Sequence, residues 1–150
     1  MKKLLVVAAA LFAGYVFFSS QHVSTLSDAP TSISEQRAGT SEAAIASAFS
    51  NRASNLQVSG QGVVTKILPD DTSGSRHQRF ILKLPSGQTL LVAHNIDLAP
   101  RISSLRVGDA VQFYGEYEWN QKGGVLHWTH RDSRGSHVAG WLRHQGKTYQ

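Results

Sequence analysis

Three sets of side chains in this sequence have the types and spacing to do chemistry. The first is a set of imidazoles with a carboxylate: His94, His127, His130 and Asp132. Imidazole nitrogen and carboxylate oxygen are donors that hold zinc-like divalent ions, the one cofactor the sequence suggests. Residues three apart on a regular strand point to opposite faces, so His127 and His130 chelate one ion only across a bulge. Otherwise His130 needs His94, His137 or His144 as its partner. The second set is cationic and aromatic: Arg76, His77, Arg79 and Lys83, followed by Trp119, Asn120 and Lys122. Cations beside an aromatic ring pair with phosphates and stack on a base or a sugar. The third set is that of a metal-dependent phosphodiesterase, with Asp70, Asp71 or Asp132 as base or metal ligand and Arg76 or Arg79 stabilising charge at phosphorus. Each set also has a plain structural counterpart: histidines that pack and hydrogen-bond, a tryptophan that fills a core edge, and aspartates that form a turn. No GxSxG, Walker loop, HExxH or cysteine nucleophile is present, so no catalytic residue is assigned and binding is favoured over an enzyme.

Strands must position these residues. In Ala110–Asp132 (AVQFYGEYEWNQKGGVLHWTHRD), Val111, Phe113, Gly115, Tyr117 and Trp119 alternate with Gln112, Tyr114, Glu116 and Glu118, the period of two of a half-buried strand. The returning arm sets Leu126, Trp128, His130 and Asp132 against Val125, His127, Thr129 and Arg131, with a glycine-rich turn at 120–124. Upstream, Val58–Leu68 reads as a long strand that Gly60 and Gly62 allow to bend or bulge. After a loop at 69–75, Gln78, Phe80, Leu82 and Leu84 face one way and His77, Arg79, Ile81 and Lys83 the other. Thr89–His94 is a nearly continuous apolar strand, and Leu98, Ile102 and Leu105 are spaced to line one side of a short helix before the hairpin of Ala110–Asp132. The expectation is a mainly β fold: a five-stranded OB-fold-like barrel over 56–150. Its core is expected at Val64, Phe80, Leu82, Leu91, Val111, Phe113, Leu126 and Trp128, with a C-terminal hairpin about Gln145-Gly146. On that frame the ligand surface spans strands two and three and the loops 69–76 and 119–124, which collect the second set of residues.

A helix over 41–55, capped by Ser41 and carrying Ile45 and Phe49 on one face, is expected to cover one open end of the sheet. The Ser/Thr-rich stretch 19–40 reads as a flexible linker. Lys2 and Lys3 followed by the apolar run Leu4–Phe18 read as a signal peptide or membrane anchor, 1–18. Export to the periplasm, or to the periplasmic face of the inner membrane, follows from either outcome. With no cysteine, neither a disulfide framework nor a lipid-modified cysteine is available. The formal net charge of +5, with seven histidines counted neutral, includes the two leader lysines, so the exported part is only mildly basic.

The run GSRHQRFILKLPSGQTLLVAHNIDLAPRI, then L-x-VGD, FYGEYEWN, GGV-x-HWTH and a closing GWL-x-H-x-GK-x-YQ, resembles a family of small exported bacterial proteins catalogued only as a domain of unknown function. The resemblance covers roughly 58–150 and implies a compact OB-like domain behind an N-terminal signal or anchor, with no activity to transfer. A fainter architectural similarity to staphylococcal-nuclease-like barrels stops at the strand layout. That family's Asp, Arg and Glu catalytic pattern has no residue-by-residue counterpart here. The expected function is a module binding an anionic or polymeric ligand, nucleic acid or glycan. The alternatives are the hydrolase above and an envelope protein-interaction module.

Overall fold

The computed structural model describes residues 31–150; the expected signal or anchor and the first part of the expected linker, 19–30, lie outside them. The elements run α1 (Thr31–Ser50), β1 (Leu56–Asp71), β2 (His77–Lys83), β3 (Thr89–Asn95), β4 (Ala110–Glu118), β5 (Val125–His127), β6 (Trp141–His144) and β7 (Lys147–Tyr149). The fold is mainly β, with a helix before a ring of five strands and a hairpin extension at the C-terminus. Among the described residues no helix is long and apolar enough to cross a membrane.

β1 makes the ring possible by changing partners. Its first half pairs antiparallel with β4 and its second half with β2, and Val63 faces Ala110 on one side and Lys83 on the other. The order β1-β2-β3-β5-β4 then closes on itself, with β3 and β5 parallel. Gly60 serves this strand differently from expectation. The β1–β4 register is unbroken through it, and an added Cβ would stand 2.6 Å from Phe113 Cζ, so glycine there makes room for a core ring. The register shifts fall instead between Val64 and Lys66 and between Leu68 and Asp71, the latter where Pro69 removes a backbone donor.

Six of the eight expected core residues are buried: Val64, Phe80, Leu82, Val111, Phe113 and Leu126. Leu91 and Trp128 are only half-buried. In β3 the inward positions are Leu90, Val92 and His94, a phase that an apolar run does not reveal.

Both ends of the ring are covered. α1 starts ten residues upstream of Ser41 and ends at Ser50. Ser41 is therefore inside the helix, not its cap, and its hydroxyl lies 3.0 Å from that of Ser59. Arg52 in the left-handed region (φ 53°) and the 2.9 Å bond from Ala53 N–H to Ala48 O terminate the helix in a Schellman-type cap. Ile45 and Ala48 are the buried face, with Phe49 only half-buried. At the other end the β3–β4 connection forms turns in place of the expected helix. Ile102 and Leu105 point inward as expected, whereas Leu98 is exposed and Ala99 takes the inner position. Buried Gln78 fastens this connection by donating to Ile102 O (3.0 Å) and accepting from Ile102 N–H (2.9 Å). Both halves of its amide are thereby satisfied.

Candidate functional site

Alternation along the strands leaves a continuous outer face. β2 presents His77, Arg79, Ile81 and Lys83, β3 presents Leu91, Ala93 and Asn95, and β5 presents Val125 and His127. Near the His77–Asn95 pair this face opens into a shallow cleft of about 230 Å³, walled by Ser75, His77, Asn95, His127, Trp128 and His130.

The expected ligand residues divide between the two ends of this face. His77 pairs with Asn95 at one end and Lys83 with Thr89 at the other, where the Thr89 hydroxyl meets Lys122 O at 3.4 Å. Six steps along the strand separate them, about 20 Å. Arg76 is exposed but bound to Asp97 through its Nε (2.7 Å) and its backbone N–H (2.7 Å). Arg79 lies across the face and donates from Nε to Pro69 O at 3.0 Å. Lys83 and Lys122 are exposed. Trp119 turns away from the face: its indole N–H donates to Phe49 O at 3.0 Å, and it packs against the core under Arg52. Asn120 accepts from Lys122 N–H (2.8 Å) and Gly124 N–H (3.1 Å), which shapes the turn. Trp119 and Asn120 are thus occupied in holding the helix and the loop. The aromatic wall of the cleft is Trp128. Of the catalytic alternatives, Asp70 is paired with Arg101, and Asp71 caps its own loop through Ser73 N–H at 3.0 Å.

The expected metal set also divides: His127 faces outward on β5, His94 faces inward on β3, and the chain leaves the strand before His130. Trp128 adopts φ 51°, a left-handed conformation costly for a bulky residue, so alternation stops after His127. Thr129 and His130 are then both buried. His94 is inside the ring. The Thr129 hydroxyl donates to its Nδ1 at 2.8 Å, and its Nε2–H donates to Pro100 O at 3.2 Å. Burial pushes this imidazole down to about 4, against the opposing effect of the Pro100 carbonyl. His130 donates from Nδ1 to Arg131 O at 2.8 Å and lies 5.1 Å from the Trp128 ring. Asp132 collects Arg134 N–H (3.0 Å), Ser136 N–H (2.7 Å), the Ser136 hydroxyl (2.8 Å) and His137 N–H (2.8 Å). Those donors, Arg134 N–H foremost, hold its carboxyl well below the usual range. Asp132 therefore organises the loop that presents His137, whose ring stacks on Trp128 at 3.9 Å.

His127 instead joins two glutamates. Glu116 faces it directly across the β4–β5 pair, and Glu118 is one pleat further along the same face. His127 Nε2 is 3.4 Å from Glu116 Oε1 and 3.8 Å from Glu118 Oε1, and one donor atom from each of the three residues lies within 4.8 Å of the others. His137 Nε2 approaches the second Glu116 oxygen at 2.5 Å. Burial lowers the His127 pKa despite both carboxylates. Burial also acts downward on His137, but its bond to Glu116 and its contact with Val138 O outweigh that and raise it. Glu116 and Glu118 had a sequence signal: they alternate together on one arm, and a turn at 120–124 sets position 116 opposite 127. His137 had none beyond its type, because a loop delivers it.

The family model described as Protein of unknown function (DUF3465) matches residues 28–150, which includes every strand and the whole cleft. The chain belongs to this family. Among curated proteins no match to the chain is found. The family's span takes in both Glu116–Glu118 and the loop carrying His137, so cleft and carboxylate cluster belong to one matched unit.

Proposed function

We propose that the chain is an exported OB-like barrel module that binds an anionic polymer, nucleic acid or glycan, across the outer face of β2, β3 and β5. The OB reading is supported by the ring order with its single parallel β3–β5 pair and by the sharing of β1 between β2 and β4. The observation that carries the binding reading is the open cleft on that face, walled by Trp128 and imidazoles and continued along β2 by Arg79 and Lys83. An aromatic wall with cations further along the same strand suits a base or sugar linked to anionic groups. Export is supported by Lys2 and Lys3 ahead of the apolar run Leu4–Phe18, which also provides an inner-membrane anchor if it is retained. The test is fluorescence anisotropy of single-stranded DNA, RNA and cell-wall glycan fragments with the full chain, in chelator, over a series of salt concentrations. For a phosphate polymer, Arg79→Ala with Lys83→Ala weakens binding whatever the sequence and lowers the salt slope by about two. Absence of binding to all three at low salt, or binding indifferent to this double variant, refutes the reading.

A further inference from the structure

We propose that Glu116, Glu118 and His127 form a divalent metal site of the zinc class, with His137 as fourth ligand. The site stands on the β4–β5 wall, next to the cleft, and does not depend on polymer binding.

Spacing is the first argument. Zinc holds nitrogen and carboxylate donors at about 2.0–2.2 Å, so neighbouring donors on a tetrahedron are about 3.4 Å apart. The His127–Glu116 and His127–Glu118 separations of 3.4 and 3.8 Å are close to that edge length, and neither contact is a hydrogen bond. His127 Nε2 is correspondingly a buried atom with no hydrogen-bond partner. An imidazole nitrogen facing two carboxylates at coordination spacing, yet bonded to neither, is in the arrangement of a ligand.

Tautomer is the second argument. The Nδ1 of His137 lies 2.8 Å from Val138 O, and a carbonyl only accepts, so Nδ1 carries a proton. In the neutral ring Nε2 then presents a lone pair to a Glu116 oxygen 2.5 Å away. A second proton bridges them in the metal-free protein, and a cation would take that proton's place. Zinc-bound histidines commonly donate their other ring N–H to a backbone carbonyl in this way, which fixes the tautomer and ring orientation. Asp132 and Trp128 hold the ring in place, through the His137 N–H and by stacking at 3.9 Å. Insertion of a metal requires the His137–Glu116 contact to open by roughly 1 Å, a change within reach of a loop side chain.

Charge is the third argument. Two carboxylates share one face across a single pleat, and among the described residues their only ion-pair partners are histidines. A divalent cation neutralises both. The mixed imidazole–carboxylate donors favour zinc over calcium or magnesium, which take oxygen ligands.

The full chain, stripped with chelator, is titrated calorimetrically with Zn²⁺, and Co²⁺ serves as a spectroscopic probe of geometry. One equivalent of zinc is expected, with the intense visible bands of tetrahedral cobalt. Glu118→Gln and His127→Gln should each weaken zinc by at least about tenfold, the lower bound for loss of an outer-sphere partner. His137→Gln should weaken it and change the cobalt spectrum, while His130→Gln leaves both unaltered. Glu118 is half-exposed and its amide is isosteric, so a urea midpoint matching the parent confirms that this variant folds. Absence of one-to-one zinc binding overturns the proposal. So does zinc affinity that survives both Glu118→Gln and His127→Gln, which would place the metal on histidines elsewhere.

Discussion

The sharpest quantitative consequence of the fold is acid lability set by His94. This imidazole is fully buried in the ring, neutral, and satisfied at both nitrogens by Thr129 and Pro100. Its pKa falls from 6.5 in the open chain to about 4 in the fold. Between these values the unfolded chain binds the extra proton and the native state does not, so stability rises with pH across the window. The stabilisation is fully present above about pH 6.5, is lost progressively as pH falls below it, and is gone once pH has fallen through 4. A separation of about 2.5 units at 1.36 kcal/mol each corresponds to about 3 kcal/mol in all, of which about 2 kcal/mol is gone by pH 5. That loss is a large fraction of the roughly 5–15 kcal/mol typical of a domain. The measurement is urea unfolding of the parent and of His94→Gln at intervals from pH 7.5 to 5, compared as differences so that the other titrating groups cancel. The variant starts less stable at pH 7.5, because an amide does not reproduce the ring's contacts, but its stability should fall by about 2 kcal/mol less on acidification. Equal slopes for the two proteins, or an NMR titration placing His94 at or above 6, would refute the reasoning.

Two further outcomes follow from packing. Phe113→Ala removes a fully buried ring that lies against Gly60 and should cost about 3–5 kcal/mol in urea unfolding, whereas Trp128→Ala, half-buried, should cost less. Gly124→Ala combines φ +108° with a Cβ that would stand 2.1 Å from the Tyr117 ring, and should lower stability by more than about 1 kcal/mol in the same assay.

The sequence carried the strands well wherever polar and apolar residues alternate. β2 shows Gln78, Phe80 and Leu82 inward against His77, Arg79 and Lys83 outward, and β4 sets Val111, Phe113 and Tyr117 inward against Gln112, Glu116 and Glu118. Legibility failed where alternation fails. β3 is apolar on both faces, so Leu90 and Leu91 are indistinguishable by type, and only pairing with β2 and β5 sets the phase. The β3–β4 connection offered Leu98, Ile102 and Leu105 at near-helical spacing, but Gln78 holds Ile102 by both backbone groups and turns replace a helix. Trp119 looked like a binding platform because loop position in sequence does not reveal which surface a ring finds. The end of α1 offered its indole N–H a carbonyl acceptor.

The site itself turned on one backbone angle. Continued as a regular strand, β5 would have put Trp128, His130 and Asp132 on the face of Leu126 and left His127 with Thr129 and Arg131. The left-handed turn at Trp128 breaks this phase. Its carbonyl is closely packed by Gly140, where an added Cβ would stand 1.9 Å from Trp128 O, and Gly140 N–H bonds His130 O at 2.9 Å. The returning segment thus braces a conformation that local sequence disfavours. Two consequences follow from that brace: Thr129 is free to cap His94, and Asp132 is carried outward to shape the loop of His137. Tertiary contact overriding a local preference is a known mark of functional sites. Here the override supplies a hydroxyl to the buried His94 and brings His137 to Glu116.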